Sequence, residues 1–186
     1  MRTIFTSMCA MAALIAALWV SPVQANDTGD VTVTVTLSGA SVSVTNNAVA
    51  IGTAGTPMTM STTYISATAA QVTNNSAGTP ETYTLIISND GANWTAAAAA
   101  DADTYVLSAL FNSTKPAAGD FLANDMLSTG DVICSATNCA FAGGDETGAA
   151  VAAAGVRHLW LKFESPTSTT TYVAQVITIT ITAVAD

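Results

Sequence analysis

Apolar and polar positions alternate along much of this chain. In VTVTVTL, Val31, Val33, Val35 and Leu37 fall on one parity and three threonines on the other, the period of a strand with one buried and one wet face. Seven residues rising ~3.3 Å each make a strand of roughly 23 Å, enough to run the height of a domain. Ser41 to Thr45 repeats the alternation after Gly39, and Asn46-Asn47 breaks it as a turn does. Two strands so close together predict a hairpin or a strand that changes sheets. Val49 to Met60, with Gly52, Gly55 and Pro57, predicts an irregular crossing. Tyr64–Thr73 and Thr82–Ser88 flank a turn-rich connector and read as neighbouring antiparallel strands, the second burying Tyr83, Leu85 and Ile87. Thr104–Phe111 predicts another strand. Ala96–Ala100 is too short an alanine run to hold a helix alone and reads as a helical turn or a loop.

The same alternation is strongest at the C-terminal end, in VRHLWLKF and YVAQVITITITAV. Leu159, Leu161 and Phe163 line one face of the first, with His158, Trp160 and Lys162 on the other. In the second, Val173, Ile177, Ile179, Ile181 and Ala183 oppose Thr178, Thr180 and Thr182. The two read as a hairpin joined by ESPTSTTT, both stacking their aliphatic faces on one core. Between Asn112 and Gly155 the periodicity fades into Pro, Gly, Asp and Ala, with a short helix expected near Asp120–Leu127 and a small strand at Asp131–Cys134. So long an irregular stretch inside one domain is functional or is structured by its own contacts. The pattern predicts an all-β chain, a single β-sandwich of jelly-roll or immunoglobulin-like type carrying an insertion near 112–155.

Composition sets the compartment. Arg2, the apolar run Met8–Val20 and Val23-Gln-Ala25 read as a secretory signal peptide over residues 1–25, leaving one domain over 26–186 that is secreted to the extracellular space or cell surface. No membrane span is expected after its removal, and Cys9 precedes the apolar run, unlike a lipid-anchored cysteine. Of four basic residues only Lys115, Arg157 and Lys162 lie past this leader, against thirteen acidic ones and a net charge of −9. Such a chain is repelled by nucleic acid. With half its residues hydrophobic and 9% charged it still buries a core.

Few residues carry chemistry. Cys134 and Cys139, in CSATNC, predict a disulfide closing a small loop in an exported chain; without a nearby His they make a poor metal site. His158 reads as a surface or interface residue. Trp160, opposite the core parity, is either covered by a loop or the insertion, or exposed with Trp94 as a contact for another subunit or a sugar. Asp101, Asp103, Asp145 and Glu146 are weak calcium candidates, lacking the spacing of known calcium loops, so no metal or cofactor is assigned. Sequons occur at Asn26, Asn74, Asn93 and Asn112. No catalytic constellation is present and no enzyme activity is expected. For Val31, Val33, Val35 and Leu37 two readings stand: the strand pairs within its own domain, or it completes the sheet of a neighbour.

The segments LWLKF, QVITITITA and QVTNNSAGTPETYTLIIS resemble secreted biofilm-matrix fibre subunits of the TasA/camelysin type and related bundling-pilus subunits. The likeness covers Tyr64–Ser88 and Val156–Val184. It implies a jelly-roll-like sandwich that polymerises when the N-terminal strand of one subunit enters the sheet of the next, a donor role that falls here on Val31–Leu37. The function expected is therefore a self-assembling subunit of an extracellular fibre or surface layer, with copies of itself as partners. The alternative is a β-sandwich module that binds carbohydrate or a surface, with glycans as partners.

Overall fold

The computed structural model describes residues 31–37, 42–51, 58–171 and 173–186. The expected signal peptide and the sequon at Asn26 lie outside the described residues. Among those residues the chain is nearly all β, and the only helical turns are two short 3-10 stretches, Ala118–Asp120 and Ala123–Asp125. No helix there is long and apolar enough to cross a membrane.

The strands are β1 (Val31–Leu37), β2 (Val42–Thr45), β3 (Ala48–Ile51), β4 (Thr63–Ile65), β5 (Ala70–Asn74), β6 (Glu81–Asn89), β7 (Thr95–Ala96), β8 (Thr104–Phe111), β9 (Val132–Ile133), β10 (Val156–Glu164) and β11 (Gln175–Ala185). They form two sheets. The first runs β3-β1-β11-β6-β9 and the second β2-β5-β10-β8-β7, with β4 also paired to β10. One hydrophobic cluster joins their inward faces, drawing Val49, Ile51, Leu85, Ile87, Ile177, Ile179 and Ile181 from the first sheet and Val72, Leu107, Phe111, Leu159, Leu161 and Phe163 from the second. Each such buried aliphatic or aromatic side chain is worth about 1.5–3 kcal/mol of hydrophobic stabilisation.

Two expected pairings are corrected. β10 and β11 are not a hairpin, because β10 lies in the second sheet and β11 in the first. β5 and β6 are likewise in opposite sheets rather than neighbours. The connecting segments arch over the core instead of turning back within a sheet. An alternating strand needs only an apolar layer against its buried face, and a facing sheet supplies that as well as an adjacent strand does. The aliphatic faces of β10 and β11 meet one core, as expected. β1 and β2, consecutive in the chain, belong to different sheets, which matches the reading of a strand that changes sheets.

β11 shows what the sequence specifies. Its burial alternates through Gln175, Ile177, Ile179 and Ile181, all fully buried, with Thr178, Thr180 and Thr182 half-exposed between them. Val173, expected on the buried parity, is 50% exposed, and Gln175 takes the buried place instead. Its amide is satisfied there: Oε1 accepts from Asn93 N–H at 3.0 Å and Nε2 donates to Val173 O at 3.1 Å. A buried polar side chain with its hydrogen bonds made costs little.

Candidate functional site

The two lateral sides of the molecule differ. On one, the insertion over 112–155 covers the outer edges of both sheets. Along β8, Leu127 N–H donates to Leu107 O at 2.8 Å and Phe111 N–H to Cys139 O at 2.9 Å. Along β6, Ile87 N–H donates to Ser128 O at 2.9 Å, Tyr83 N–H to Gly148 O at 2.8 Å, and Glu81 and Val151 exchange bonds at 3.0 and 2.8 Å. The short strand β9 fills in against Thr84 and Leu85. Strand edges are thereby closed to further pairing. On the opposite side, β3 pairs only with β1 and β2 only with β5 among the described residues.

β1 sits beside that open side. Its backbone pairs in parallel with β11 from Val31↔Gln175 to Leu37↔Ile181 and antiparallel with β3 from Val31↔Ile51 to Thr34↔Ala48. The strand expected as donor thus fills a slot between β3 and β11 of its own chain. An identical strand from another copy has the backbone groups to fill the same slot.

The insertion also covers the outer face of the second sheet, and this decides the place of the aromatic candidates. Trp160 does point away from the main core, yet it is only 8% exposed. It packs with Leu110 and Phe121 in a second small cluster, against which Ile65, Ala69 and Phe141 are packed. Its Nε1 donates to Asn112 O at 2.9 Å. Trp94 is 3% exposed, donates from Nε1 to Thr169 Oγ1 at 3.1 Å, and stacks on Phe163 at 6.3 Å between ring centroids. Of the two readings of Trp160, cover by the insertion is the one observed; the exposed sugar or subunit platform is corrected for it and for Trp94, since both rings are covered and both ring N–H groups are used inside the fold.

Three of the polar candidates, His158, Glu146 and Asp145, act as fasteners of the insertion. His158 Nδ1 lies 2.9 Å from Glu146 Oε1, and His158 N–H donates to Glu146 Oε2 at 2.7 Å. Asp145 accepts from both the backbone N–H and the hydroxyl of Ser113; these bonds hold its carboxyl below the usual carboxylate range. Asp101 and Asp103 shape the turn before β8. Asp101 accepts from Ala102 N–H at 2.8 Å, and Asp103 accepts from Thr169 Oγ1. Each of the four calcium candidates therefore has protein donors on its carboxylate, and no group of three or more His, Cys, Asp or Glu among the described residues is placed to hold a metal.

Sequence reasoning missed Asp125 as an organiser. Fully buried, it accepts from Leu122 N–H at 2.8 Å and Ala140 N–H at 3.2 Å, tying the 3-10 turn to the strip along β8. Burial pushes its carboxyl pKa up, against the backbone donors and Lys162, which pull it down. Its only sequence signal is an acid between Leu122 and Leu127.

Cys134 and Cys139 are both buried and both free thiols, where a disulfide was expected. Burial first, then the neighbouring Cys139 thiol, raises the Cys134 thiol pKa. Ser135 N–H donates to Asn138 O at 3.1 Å, so the intervening turn is held by its own backbone without a bridge. Two sequons fall on buried amides: Asn74 Nδ2 donates to Val151 O at 2.8 Å and Asn112 Nδ2 to Thr114 O at 2.9 Å. Asn93 is exposed. A cleft of about 310 Å³ lies by Ala96–Ala98 and Met126–Ser128, with no titratable lining residue to give it chemistry.

Compared with family models, with curated proteins and with solved structures, the chain matches none of them.

Proposed function

We propose that this chain is an exported structural subunit, without enzymatic activity, that assembles with copies of itself into an extracellular fibre or surface layer by exchange of β1. We read its two sheets as a single sandwich of the jelly-roll kind. The observation that carries this reading is the asymmetry of the sides: the insertion closes the edges of β6 and β8, while among the described residues β2 and β3 each pair along one edge only, β3 with β1. Exchanging β1 between copies replaces each intramolecular pairing by an identical intermolecular one, so it costs little beyond association itself. Because donor and slot are different surfaces, exchange is head-to-tail and grows a filament instead of closing. In an oxidising exterior, the buried Cys134 and Cys139 thiols close to a disulfide, giving up two electrons and two protons to the thiol–disulfide pool.

The test uses chain 26–186 and a synthetic peptide of residues 26–40. Filaments in negative-stain microscopy whose growth is stopped by excess peptide, with the peptide bound at the filament end, are the expected result. A chain that stays monomeric at high concentration and never takes up the peptide defeats the reading.

A further inference from the structure

Over β11, β6 and β9 the outer face of the first sheet stays partly exposed among the described residues, touched by the insertion where Thr82 Oγ1 accepts from Ala150 N–H at 3.0 Å, whereas that of the second is covered. Outward positions of β11 and β6 pair as Thr182↔Thr84, Thr180↔Ile86 and Val184↔Thr82, and Ile133 of β9 lies beside Thr84. Val176, Val184 and Ile133 are 48%, 63% and 60% exposed, and the threonines between them are half-exposed. None of these residues is charged, although the chain carries a net charge of −9. Glu81 opens β6 but is buried, and Asp90, Asp131 and Asp186 follow β6, precede β9 and follow β11, so none of these carboxylates stands on the open face. Lys162, Glu164 and the Glu146–His158 pair belong to the other sheet and the insertion.

We propose that this threonine-valine-isoleucine face is the lateral contact between copies of the chain, packed sheet to sheet. Two molecules of the same strong negative charge repel each other over most of their surfaces. Here they can meet without opposing carboxylates. Strands spaced ~4.8 Å apart and rising ~3.3 Å per residue give the β11, β6 and β9 part of the sheet a plane of roughly 350 Å², so a face-to-face pair buries about 700 Å² in all. That is less than the ~1,000 Å² a stable specific interface buries. Isolated pairs are accordingly weak, and the contact becomes strong when many copies are already aligned, since each further contact is then intramolecular. Its two-fold, self-facing geometry also differs from the head-to-tail geometry of strand exchange. The contact goes beyond the fibre reading, and neither requires the other.

Thr182→Cys and, as a control on the insertion, Thr137→Cys are oxidised in the full chain over a concentration series, and sedimentation is run on wild type and Thr84→Glu. The expected result is inter-chain cross-linking through Thr182→Cys and little through Thr137→Cys. Sedimentation should show weak wild-type dimers that tighten with added salt, as screening relieves the net repulsion, and are lost in Thr84→Glu at unchanged melting temperature. Equal cross-linking at both positions, or wild-type and Thr84→Glu chains that associate alike, overturns the proposal. So does retention of the monomer on a crystalline polysaccharide with no dimer formed. Filaments that persist without Thr182→Cys cross-links sink the lateral contact alone; cross-links without filaments sink strand exchange alone.

Discussion

The two outer faces of this molecule are built from strands of similar alternation and meet opposite fates. On β11 and β6 the outward parity carries Thr178, Thr180, Thr182, Thr82 and Thr84, and it stays half-exposed, the insertion touching it where Ala150 N–H donates to Thr82 Oγ1. On β10 it carries His158, Trp160 and Lys162, and the insertion folds back over it, bringing Phe121 and Phe141 to the indole and Glu146 to the imidazole. Threonine satisfies water with its hydroxyl and suits a strand with its branched Cβ, so such a face needs no lid. A tryptophan on the same parity leaves a large apolar surface that water penalises. The insertion is thus a second layer of packing recruited by the aromatic residues of one face.

The largest break in this contrast comes from Trp160→Ala. It empties the second cluster and leaves Asn112 O without its donor, and should cost about 3–5 kcal/mol in denaturant unfolding. Loss near zero would mean that the insertion is held by its edge strands alone. Gly148→Ala is expected to cost less, about 1–3 kcal/mol, as overpacking does. An added Cβ there would stand 2.7 Å from Phe111 Cε2 and 2.9 Å from Cys134 Cβ and Sγ, so the strip sealing β6 would have to move away from the core. Hydrogen exchange at Tyr83, whose N–H bonds Gly148 O, should rise first.

How much of this was legible follows from what alternation encodes. Periodicity in β6, β10 and β11 located strands and their buried faces because burial there repeats every second residue, whereas β8 is buried along nearly its whole length. It did not reveal which sheet each strand joins, since β10 and β11 bury their aliphatic faces equally well from opposite sides of the core. It placed Trp160 away from the main core, but the cover comes from Phe121 and Phe141, residues with no periodicity to announce them. Glu146 and His158 were read separately, as a calcium candidate and a surface residue, and the fold makes them partners twelve positions apart. Gln175 interrupts an apolar parity and looks misplaced until Asn93 and Val173 supply its hydrogen bonds. Contacts set by loops are the ones the sequence hides.

A smaller effect, read as a pH dependence, separates two of the insertion's acids. Asp125 has its pKa raised on folding, so the folded state holds its proton more tightly. Its contribution is fully present below the ordinary value of about 3.9 and is lost as pH rises through the higher folded value. Asp145 has its pKa lowered by Ser113, so its contribution is present above the ordinary value and is lost as pH falls through the folded one. Asp125→Asn should therefore remove a decline in stability with rising pH, whereas Asp145→Asn should remove a decline with falling pH. Chemical denaturation from strongly to mildly acidic pH, on both sides of the ordinary carboxylate value, checks both signs, and unchanged slopes in both variants would rule out these two carboxylates as sources of pH dependence.

The smallest expected effect is on the bare face. Thr182→Val keeps the branched shape that suits a strand and removes a hydroxyl that faces solvent opposite Thr84. Surface changes of this kind fall within about 0.5 kcal/mol of zero, so monomer unfolding should hardly move. Association has a different sensitivity. A valine adds apolar area at the middle of the face, so Thr182→Val should hold or tighten pairing while Thr84→Glu removes it, and both should melt like wild type. Were Thr182→Val to destabilise the monomer by as much as Gly148→Ala, the face would be part of the fold's own packing, and the contrast between a covered and an open side would fail at its open end.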